Sequence, residues 1–297
     1  MPSNWKAIEP QHLTYINNIL LKYFRACDVY CGPPNYTYFF LKQTQAMITS
    51  CSLDDYKKSI EILKSEILMR DDTYFENRLI SDLKEIINYD KFSDKLKPYN
   101  AYSLCANSKL KTCPYCNHAY SITTDETGRG FRPSLDHFFD KSRYPHLGLS
   151  LYNLIPSCSS CNSSLKNTFD FHEKDYLHPF FDNEKIQFKL SALKKILPED
   201  IVNSPLNEMK ISVITSGSKA RNSEGVFLIE ERYQFFIKEA KAFALAKIDF
   251  DEQIKRHGLY ISRNMNESVS LRFDKRNYKN EMLGRLFKDL QIQFTLN

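Results

Sequence analysis

The first hundred residues carry apolar side chains at intervals of three and four positions, which is the repeat of an amphipathic helix. Such stripes lie within residues 12–24, 56–69 and 74–89. Gly32-Pro33-Pro34 and Lys97-Pro98 interrupt the pattern, and glycine and proline in such places end helices. The pattern predicts a helical N-terminal region over residues 1–110, in which the apolar stripes form the core rather than a cofactor site.

The periodicity changes near residue 112. Residues 119–137 predict a hairpin, because an alternating stretch is followed by the turn-forming residues 125–130 and then by a returning strand over 131–137. Residues 157–167 predict a turn that leads into a short helix. The central region, residues 111–181, therefore has the order strand, strand, helix.

Residues 182–297 are mixed in character and mainly helical. A strand is predicted over residues 209–215 and a long helix from about residue 230 to residue 256. Taken together, the three regions predict an α+β fold in which mostly helical flanks surround a small central ββα unit.

Two Cys-x-x-Cys pairs bracket the central region. They are Cys113 with Cys116 and Cys158 with Cys161. Two pairs of this spacing supply the four thiolates that one tetrahedral Zn²⁺ takes, and four protein ligands leave no open position. The predicted zinc is therefore structural and clamps two segments that are far apart in the sequence. The alternative is four buried thiols, since free cysteine packs as a small apolar side chain.

Asp136 and His137 lie between the two cysteine pairs, adjacent on a predicted strand. Their side chains therefore project to opposite faces of that strand. Asp136 offers the hard oxygen ligand that Mg²⁺ prefers, and His137 titrates near neutrality and can take a proton from water. This pair fits metal-assisted phosphodiester hydrolysis. The alternative is a histidine that is satisfied within the core.

Asp136-His137, Asn153 and Asn162, set between the cysteine pairs, resemble the HNH endonucleases of the His-Me finger (ββα-metal) class. The resemblance covers roughly residues 112–181. It implies that His137 is the general base and that Asn153 holds the loop and orients His137. It also implies that Asp136 and Asn162 bind the catalytic Mg²⁺ or Mn²⁺. From the residues alone, Asn153 alternatively caps a turn and Asn162 alternatively caps the helix.

Longer phrases resemble one branch of that class, the Septu-type (PtuB-like) and retron-associated anti-phage nuclease subunits. The phrases are Asp136-His137-Phe138-Phe139, Asn153-Leu154-Ile155-Pro156-Ser157-Cys158 and His178-Pro179-Phe180-Phe181. This resemblance implies an effector of prokaryotic anti-phage defence that works beside a separately encoded ATPase. The chain has no Walker-type glycine-rich loop of its own, which is compatible with that division of labour. No role for His178 follows from its residue type.

The net charge of +5 has its surplus toward the C-terminus, where residues 255–279 interleave basic and aromatic side chains. Such a surface suits a phosphate backbone, although a solvated face has the same composition. Near the predicted site, contacts to the substrate backbone are expected from Lys166, Arg143, Lys141 and Arg132. DNA is favoured over RNA as the substrate.

The N-terminal residues lack the layout of a signal peptide, and no stretch approaches the length of a membrane span. We therefore expect a cytoplasmic protein without a membrane partner. The main alternative to a nuclease is a zinc-knuckle module that binds nucleic acid or protein without cutting it. In such a module Asp136 and His137 would have no chemical role.

Overall fold

The computed structural model describes residues 4–29, 35–126, 129–193, 195, 197–257 and 266–296. This part of the chain is mostly helical and contains three two-stranded antiparallel sheets. The α+β class predicted from the sequence is confirmed. Within the described residues, no helix combines the length and apolar character that crossing a bilayer requires.

The described part of the N-terminal region contains six helices. They are α1 (Asn4–Val29), α2 (Tyr36–Ile48), α3 (Leu53–Arg70), α4 (Thr73–Ile86), α5 (Tyr89–Ser93) and α6 (Ala101–Ser108). Four of them begin at a side chain that accepts a hydrogen bond from a backbone amide of the first turn: Asn35, Asp72, Asn88 and Asn100. Most of the predicted apolar stripes are buried in this region, but Leu68, at the end of the 56–69 stripe, is 80% exposed. The predicted break at residues 32–34 lies outside the described residues.

The central region contains four short strands, β1 (Thr124–Glu126), β2 (Arg129–Phe131), β3 (Ser134–His137) and β4 (Leu154–Ser157). The hairpin forms between β1 and β2, but its returning strand ends at Phe131. The prediction of one strand running to His137 was wrong. Pro133 has no amide hydrogen to continue a ladder, and the chain bends there to begin β3. Strand β3 then pairs antiparallel with β4.

The predicted short helix forms over Ser160–Lys166, but with the wider turn of a π-helix. The amide of Asn167 donates to the carbonyl of Asn162, 3.2 Å away and five residues earlier. Asn167 itself has a φ of 38°, a left-handed value that is uncommon for residues other than glycine. Wide turns of this kind occur often at functional sites.

The C-terminal region begins with the sheet of β5 (Ile186–Ala192) and β6 (Met209–Thr215), which confirms the strand predicted at 209–215. Its helices are α7 (Pro198–Asn203), α8 (Ser218–Phe227), α9 (Ile229–Tyr233), α10 (Ile237–His257), α11 (Glu267–Ser270) and α12 (Gly284–Gln293). The long helix predicted from residue 230 is therefore interrupted. A 3₁₀ turn at Gln234–Phe236 separates α9 from α10.

Buried side chains run continuously through all three regions. Trp5 of α1 packs edge to face against Phe180, with ring centres 5.8 Å apart. Tyr115, inside the first cysteine pair, stacks on Phe227 of α8 at 4.4 Å. The flanking helices therefore pack directly on the segment that carries the cysteine pairs and β3.

Candidate functional site

The four paired cysteines converge. Their sulfur atoms all lie within 4.8 Å of one another, and the Sγ atoms of Cys116 and Cys158 are 3.9 Å apart. Tetrahedral Zn–S bonds of about 2.3 Å place sulfur atoms about 3.8 Å apart, so the cluster has the dimensions and the donor set for zinc. Three of the thiols are buried and Cys158 is half-buried. The predicted convergence is confirmed, and the site can hold a zinc ion with no open coordination position.

The C-terminal region shapes the first cysteine pair. Asn117 follows Cys116 with a left-handed φ of 56°, and its side-chain amide donates to the carbonyls of Lys279 (3.2 Å) and Glu281 (3.1 Å). The guanidinium of Arg285, on α12, donates to the carbonyls of Pro114 (2.7 Å) and Tyr115 (2.9 Å). These contacts fix the backbone between the two cysteines. The sequence alone gave no indication of them.

A second basic side chain lies beside the sulfur atoms. Arg232, on α9, donates to the Sγ of Cys161 at 3.4 Å and to the carbonyl of Phe227 at 3.1 Å. Four thiolates around one Zn²⁺ carry excess negative charge, and the guanidinium offsets it. The neighbouring Tyr233 donates its hydroxyl to the carbonyl of Cys116 at 2.7 Å. Helix α9 therefore supports both cysteine pairs.

Asp136 and His137 lie side by side on β3, opposite Ile155 and Leu154 of β4. Both are almost fully buried. The Asp136 carboxylate is held on both oxygens, by the ammonium of Lys166 at 2.8 Å and by the hydroxyl of Tyr115 at 2.6 Å. Lys166 donates in addition to the backbone carbonyl of His137. Lys166 and Asp136 thus form a buried ion pair with further hydrogen bonds.

The His137 imidazole has a defined tautomer. Its Nε2 lies 3.0 Å from the carbonyl oxygen of Gly148, and because a carbonyl only accepts, Nε2 carries the proton. The lone pair is then on Nδ1. Burial lowers the pKa of His137 to about 3, and the nearby charge of Lys141 adds to the effect. The ring is therefore neutral at physiological pH. It does not titrate near neutrality, which its residue type had predicted, because burial disfavours the charged form. It packs edge to face on Tyr89 at 4.6 Å.

Asn153 is fully buried and holds the loop that connects β3 to β4. Its side-chain amide donates to the carbonyls of Phe139 (3.0 Å) and Leu147 (2.9 Å), and its Oδ1 accepts from the amide of Phe139 (2.7 Å). Leu147 precedes Gly148, whose carbonyl binds His137. Asn153 therefore fixes the backbone next to the carbonyl that His137 binds.

Two further histidines hold the same loop. The Nε2 of His12, on α1, lies 2.6 Å from the carbonyl oxygen of Leu149, and the Nε2 of His178 lies 2.9 Å from that of Tyr152. The His178 ring also packs on Phe138 at 4.5 Å. Burial lowers the pKa of both imidazoles to about 4. His178, for which the sequence gave no role, is a structural contact of the loop that carries Asn153.

An open cleft of about 350 Å³ lies in front of β3. Its lining includes six of the predicted site residues: Arg132, Asp136, His137, Lys141, Asn162 and Lys166. Asn162 is partly exposed there and makes no side-chain hydrogen bond to a residue that the structure describes. It lies inside the π-helical segment rather than at its start, so it does not cap that segment. Arg143 is not in the cleft, and its guanidinium lies 3.6 Å from Asp170 and 3.5 Å from Glu173.

A stretch of 94 residues is 32% identical to the Septu protein PtuB of Bacillus thuringiensis. The stretch covers 32% of this chain and 34% of the relative, so the chain matches about a third of that protein's length. No protein-family model matches the chain. No solved structure matches it either.

Sequence reasoning missed two tyrosines of the site. Tyr115 lies between the first two cysteines and binds Asp136, and Tyr89 begins α5 and contacts the His137 ring. The sequence around these tyrosines does not indicate such contacts, because Asp136 is 21 residues from Tyr115 and His137 is 48 residues from Tyr89. The basic stretch 255–279 lies partly outside the described residues, and none of its described members lines the cleft.

Proposed function

We propose that this chain is a metal-dependent nuclease of the HNH type that hydrolyses phosphodiesters of nucleic acid, with DNA as its substrate in preference to RNA. The observation that carries the proposal is the shared cleft. Asp136, His137 and Asn162 line it together, on β3 and on the π-helical segment that follows the second cysteine pair. The four-cysteine cluster anchors that segment next to β3.

In this proposal His137 is the general base. Its Nε2–H bond to Gly148 leaves the lone pair on Nδ1, which takes a proton from the attacking water. Asn153 keeps the imidazole in place by fixing the loop. The oxygen donors of Asp136 and Asn162 fit Mg²⁺ or Mn²⁺. Such a cation supplies stabilisation of the charge on the phosphate and the leaving oxygen.

Lys166 has two positions in this account. In the structure its ammonium is paired with Asp136, and both oxygens of that carboxylate already accept a hydrogen bond. Asp136 can ligate a cation only after this ammonium moves away, since the two positive charges would share one carboxylate. Lys166 lines the cleft, so once released its ammonium would be in reach of a phosphate there, as are Arg132 and Lys141.

The similarity to a Septu protein supports a role in anti-phage defence. We propose that the chain is the effector of such a system and works with a separately encoded ATPase, as the resemblance implies. The proposal further includes a zinc-stabilised central region, 111–181, between the helical region 1–110 and the C-terminal region 182–297.

The second candidate function is a zinc-stabilised binding module without catalysis. The observation that favours it is the state of Asp136, whose two oxygens are both held by protein groups as in an ordinary buried ion pair. In that case the cleft would bind nucleic acid or a partner protein and the Asp136–Lys166 pair would serve the fold alone.

The test is nicking of supercoiled plasmid by the purified zinc-loaded chain, with and without Mg²⁺ or Mn²⁺. Wild type is compared with Asp136→Asn and with the control Asp175→Asn, which removes an exposed carboxylate outside the cleft. Metal-dependent nicking by wild type and by the control, but not by Asp136→Asn, supports the nuclease. Plasmid binding without nicking, also in the presence of the ATPase, supports the binding module instead.

A further inference from the structure

Basic side chains seated on two tyrosine rings lead outward from the cleft. Lys141, Tyr89, Arg132, Tyr102 and Lys95 form this set, which is called the basic band below. We propose that the basic band binds the phosphate backbone of the nucleic acid and guides it from the cleft across α5 and α6. The inference rests on the proposed nuclease function and names the surface on which the substrate lies.

Each cation of the basic band is held over an aromatic face. The Lys141 ammonium lies 4.3 Å from the centre of the Tyr89 ring. The Arg132 guanidinium lies 5.4 Å, and the Lys95 ammonium 4.9 Å, from the centre of the Tyr102 ring. These distances are within the range of cation–π attraction. The three cationic side chains are therefore ordered before any ligand binds, so less side-chain conformational entropy is lost on binding.

The basic band is continuous with the reaction centre. Tyr89, Arg132 and Lys141 are wall residues of the cleft, and the Tyr89 ring contacts that of His137. From Arg132 the band continues through the shared ring of Tyr102 to Lys95. The Lys95 ammonium then donates to the carbonyl of Arg129, 3.3 Å away on β2. A polyanion that lies along the band thus has one segment beside His137.

The carboxylates nearest Lys141 leave most of its charge available to a ligand. Asp90 lies 3.7 Å from the Lys141 ammonium, but its side chain is 90% exposed, and such exposed pairs contribute little. Asp140, on the cleft wall, accepts from the amide and the hydroxyl of Ser142. An acidic protein segment would also be attracted by three cations. A phosphodiester strand, unlike an acidic peptide, can pair its phosphates with the basic band and also place a bond beside the catalytic groups in the cleft. We therefore assign the basic band to nucleic acid.

The basic band places the substrate on the N-terminal region rather than on the C-terminal region. On net charge, the C-terminal region was the favoured substrate surface. Tyr89, Lys95 and Tyr102 belong to α5, α6 and the segment between them, in the helical N-terminal region. Local geometry rather than total charge decides here, because all three cations lie over aromatic rings and two of them, Arg132 and Lys141, line the cleft.

The basic band is tested by fluorescence anisotropy with a labelled DNA oligonucleotide, single-stranded and duplex, without added Mg²⁺ or Mn²⁺. The full zinc-loaded chain is compared with Lys95→Gln/Arg132→Gln, Tyr102→Ala and Tyr102→Phe. The matched control is Lys42→Gln, because the Lys42 ammonium also lies over an aromatic ring, 4.1 Å from the centre of Phe24, but away from the cleft. Thermal unfolding verifies that each variant is folded.

We expect the double variant to bind about tenfold more weakly and to reduce the slope of log Kd against log salt by about two, since each lost phosphate contact lowers it by about one. Tyr102→Ala weakens binding, whereas Tyr102→Phe and Lys42→Gln bind as wild type does. Equal affinity and equal salt dependence in wild type and the double variant would overturn the inference. So would an equal loss in Lys42→Gln.

This outcome is separable from that of the nuclease proposal. Binding that depends on the basic band, in a chain that does not nick plasmid with metal even in the presence of the ATPase, keeps the band and removes the nuclease. Nicking by wild type together with unchanged binding in the band variants keeps the nuclease and removes the band.

Discussion

Asp136 is the most constrained side chain of the candidate site. Its carboxylate is buried, and the two groups that hold it, Lys166 and Tyr115, come from the two segments that the cysteine pairs join. A buried charge is tolerated only when it is paired and hydrogen-bonded, so removing one partner costs much more than removing both. The contribution of this ion pair to the free energy of unfolding therefore depends on Lys166 as much as on Asp136.

The first prediction concerns this pair. Lys166→Met should lower the free energy of unfolding by about 3–5 kcal/mol, because it leaves the Asp136 charge buried without its counter-ion. The double variant Asp136→Leu/Lys166→Met should recover most of that loss. Urea unfolding of the zinc-loaded chain measures both values. A Lys166→Met variant as stable as wild type would show that the pair is not buried as described.

The second prediction separates the two asparagines. Asn153→Ala removes three hydrogen bonds in the core and leaves two carbonyls and an amide unpaired, so it should cost about 2–4 kcal/mol of stability. Asn162→Ala removes a partly exposed side chain and should change stability by less than about 0.5 kcal/mol while it slows metal-dependent nicking.

Both quantities come from paired unfolding curves and plasmid assays on the same preparations. Asn162→Ala that nicks at the wild-type rate would remove Asn162 from the proposed metal site. Asn153→Ala with unchanged stability would contradict its role in the loop.

The residue types and their spacing predicted the cysteine cluster, because metal ligands must be of few kinds and at fixed intervals. The resemblance to HNH endonucleases, rather than spacing, implied that Asp136, His137 and Asn162 share one site, and all three line the same cleft. Arg143 was predicted beside them and lies outside the cleft, since proximity in sequence does not fix the direction of a surface side chain. The roles of Tyr89 and Tyr115 could not be predicted, because the contacts of an aromatic ring follow no fixed spacing in the sequence.

At the scale of elements, the loop between β3 and β4 is the part that connects the site to the rest of the fold. Three histidines bind carbonyls of this loop, His137 that of Gly148, His12 that of Leu149 and His178 that of Tyr152. Asn153 holds the loop from within. The Ser150 hydroxyl donates in turn to the carbonyl of Ile48, the last residue of α2. The N-terminal helices thus fix the backbone to which the His137 imidazole is bound.

The third prediction follows from His12, whose pKa burial lowers from 6.5 to about 4 against the opposing effect of its bond to Leu149. Above pH 6.5 the ring is neutral in both the native and the unfolded chain, and its full contribution to stability is present. Between pH 6.5 and about 4 the unfolded chain binds a proton that the native chain does not. The contribution therefore falls as pH falls, by up to about 1.4 kcal/mol per pH unit.

The measurement is urea unfolding of wild type and His12→Gln at several pH values from 7 to 5. The stability difference between the two should shrink as the pH is lowered, since glutamine does not titrate. Parallel stability profiles would show that His12 is not held neutral by burial.

The fourth prediction concerns α12 and the first cysteine pair. Arg285→Met removes two hydrogen bonds to the backbone between Cys113 and Cys116, and it should speed zinc loss to a chelator by about tenfold, a usual effect of a residue that supports metal ligands. Arg276→Met is the control, because the Arg276 side chain is exposed and pairs with Asp274 rather than with the segment between the cysteines. Equal rates of zinc release, followed with a colorimetric chelator, would contradict the supporting role.

The elements themselves were predicted unevenly from the sequence. Helical periodicity and caps are local, so the N-terminal helices and the strand at 209–215 were found. The pairing of β3 with β4 was not predicted, because it joins residues on either side of a loop. It also requires β3 to be a strand separate from β2, and Pro133 lies between the two. The π-helical turn at Ser160–Lys166 was taken for an ordinary helix, since its wider repeat has no distinct pattern over seven residues.

At the scale of the whole molecule, the site is assembled from all three regions. The N-terminal region supplies His12 and Tyr89, the central region supplies the cysteines and the cleft, and the C-terminal region supplies Arg232 and Arg285. The continuous core explains why a central region of this size can hold a precise site. A small ββα unit buries too little apolar surface to be stable without such support and without its metal.

The most direct test of the nuclease account compares two histidines of the same loop. His137→Gln and His12→Gln each retain a side-chain donor for the loop carbonyl, but only His137 lines the cleft. Metal-dependent plasmid nicking is measured for both variants at equal concentrations of folded, zinc-loaded chain. We expect His137→Gln to lose at least about 100-fold in rate, as removal of a general base does, and His12→Gln to stay close to wild type. Equal rates for the two variants would contradict the assignment of His137 as the base and of the cleft as a nuclease site.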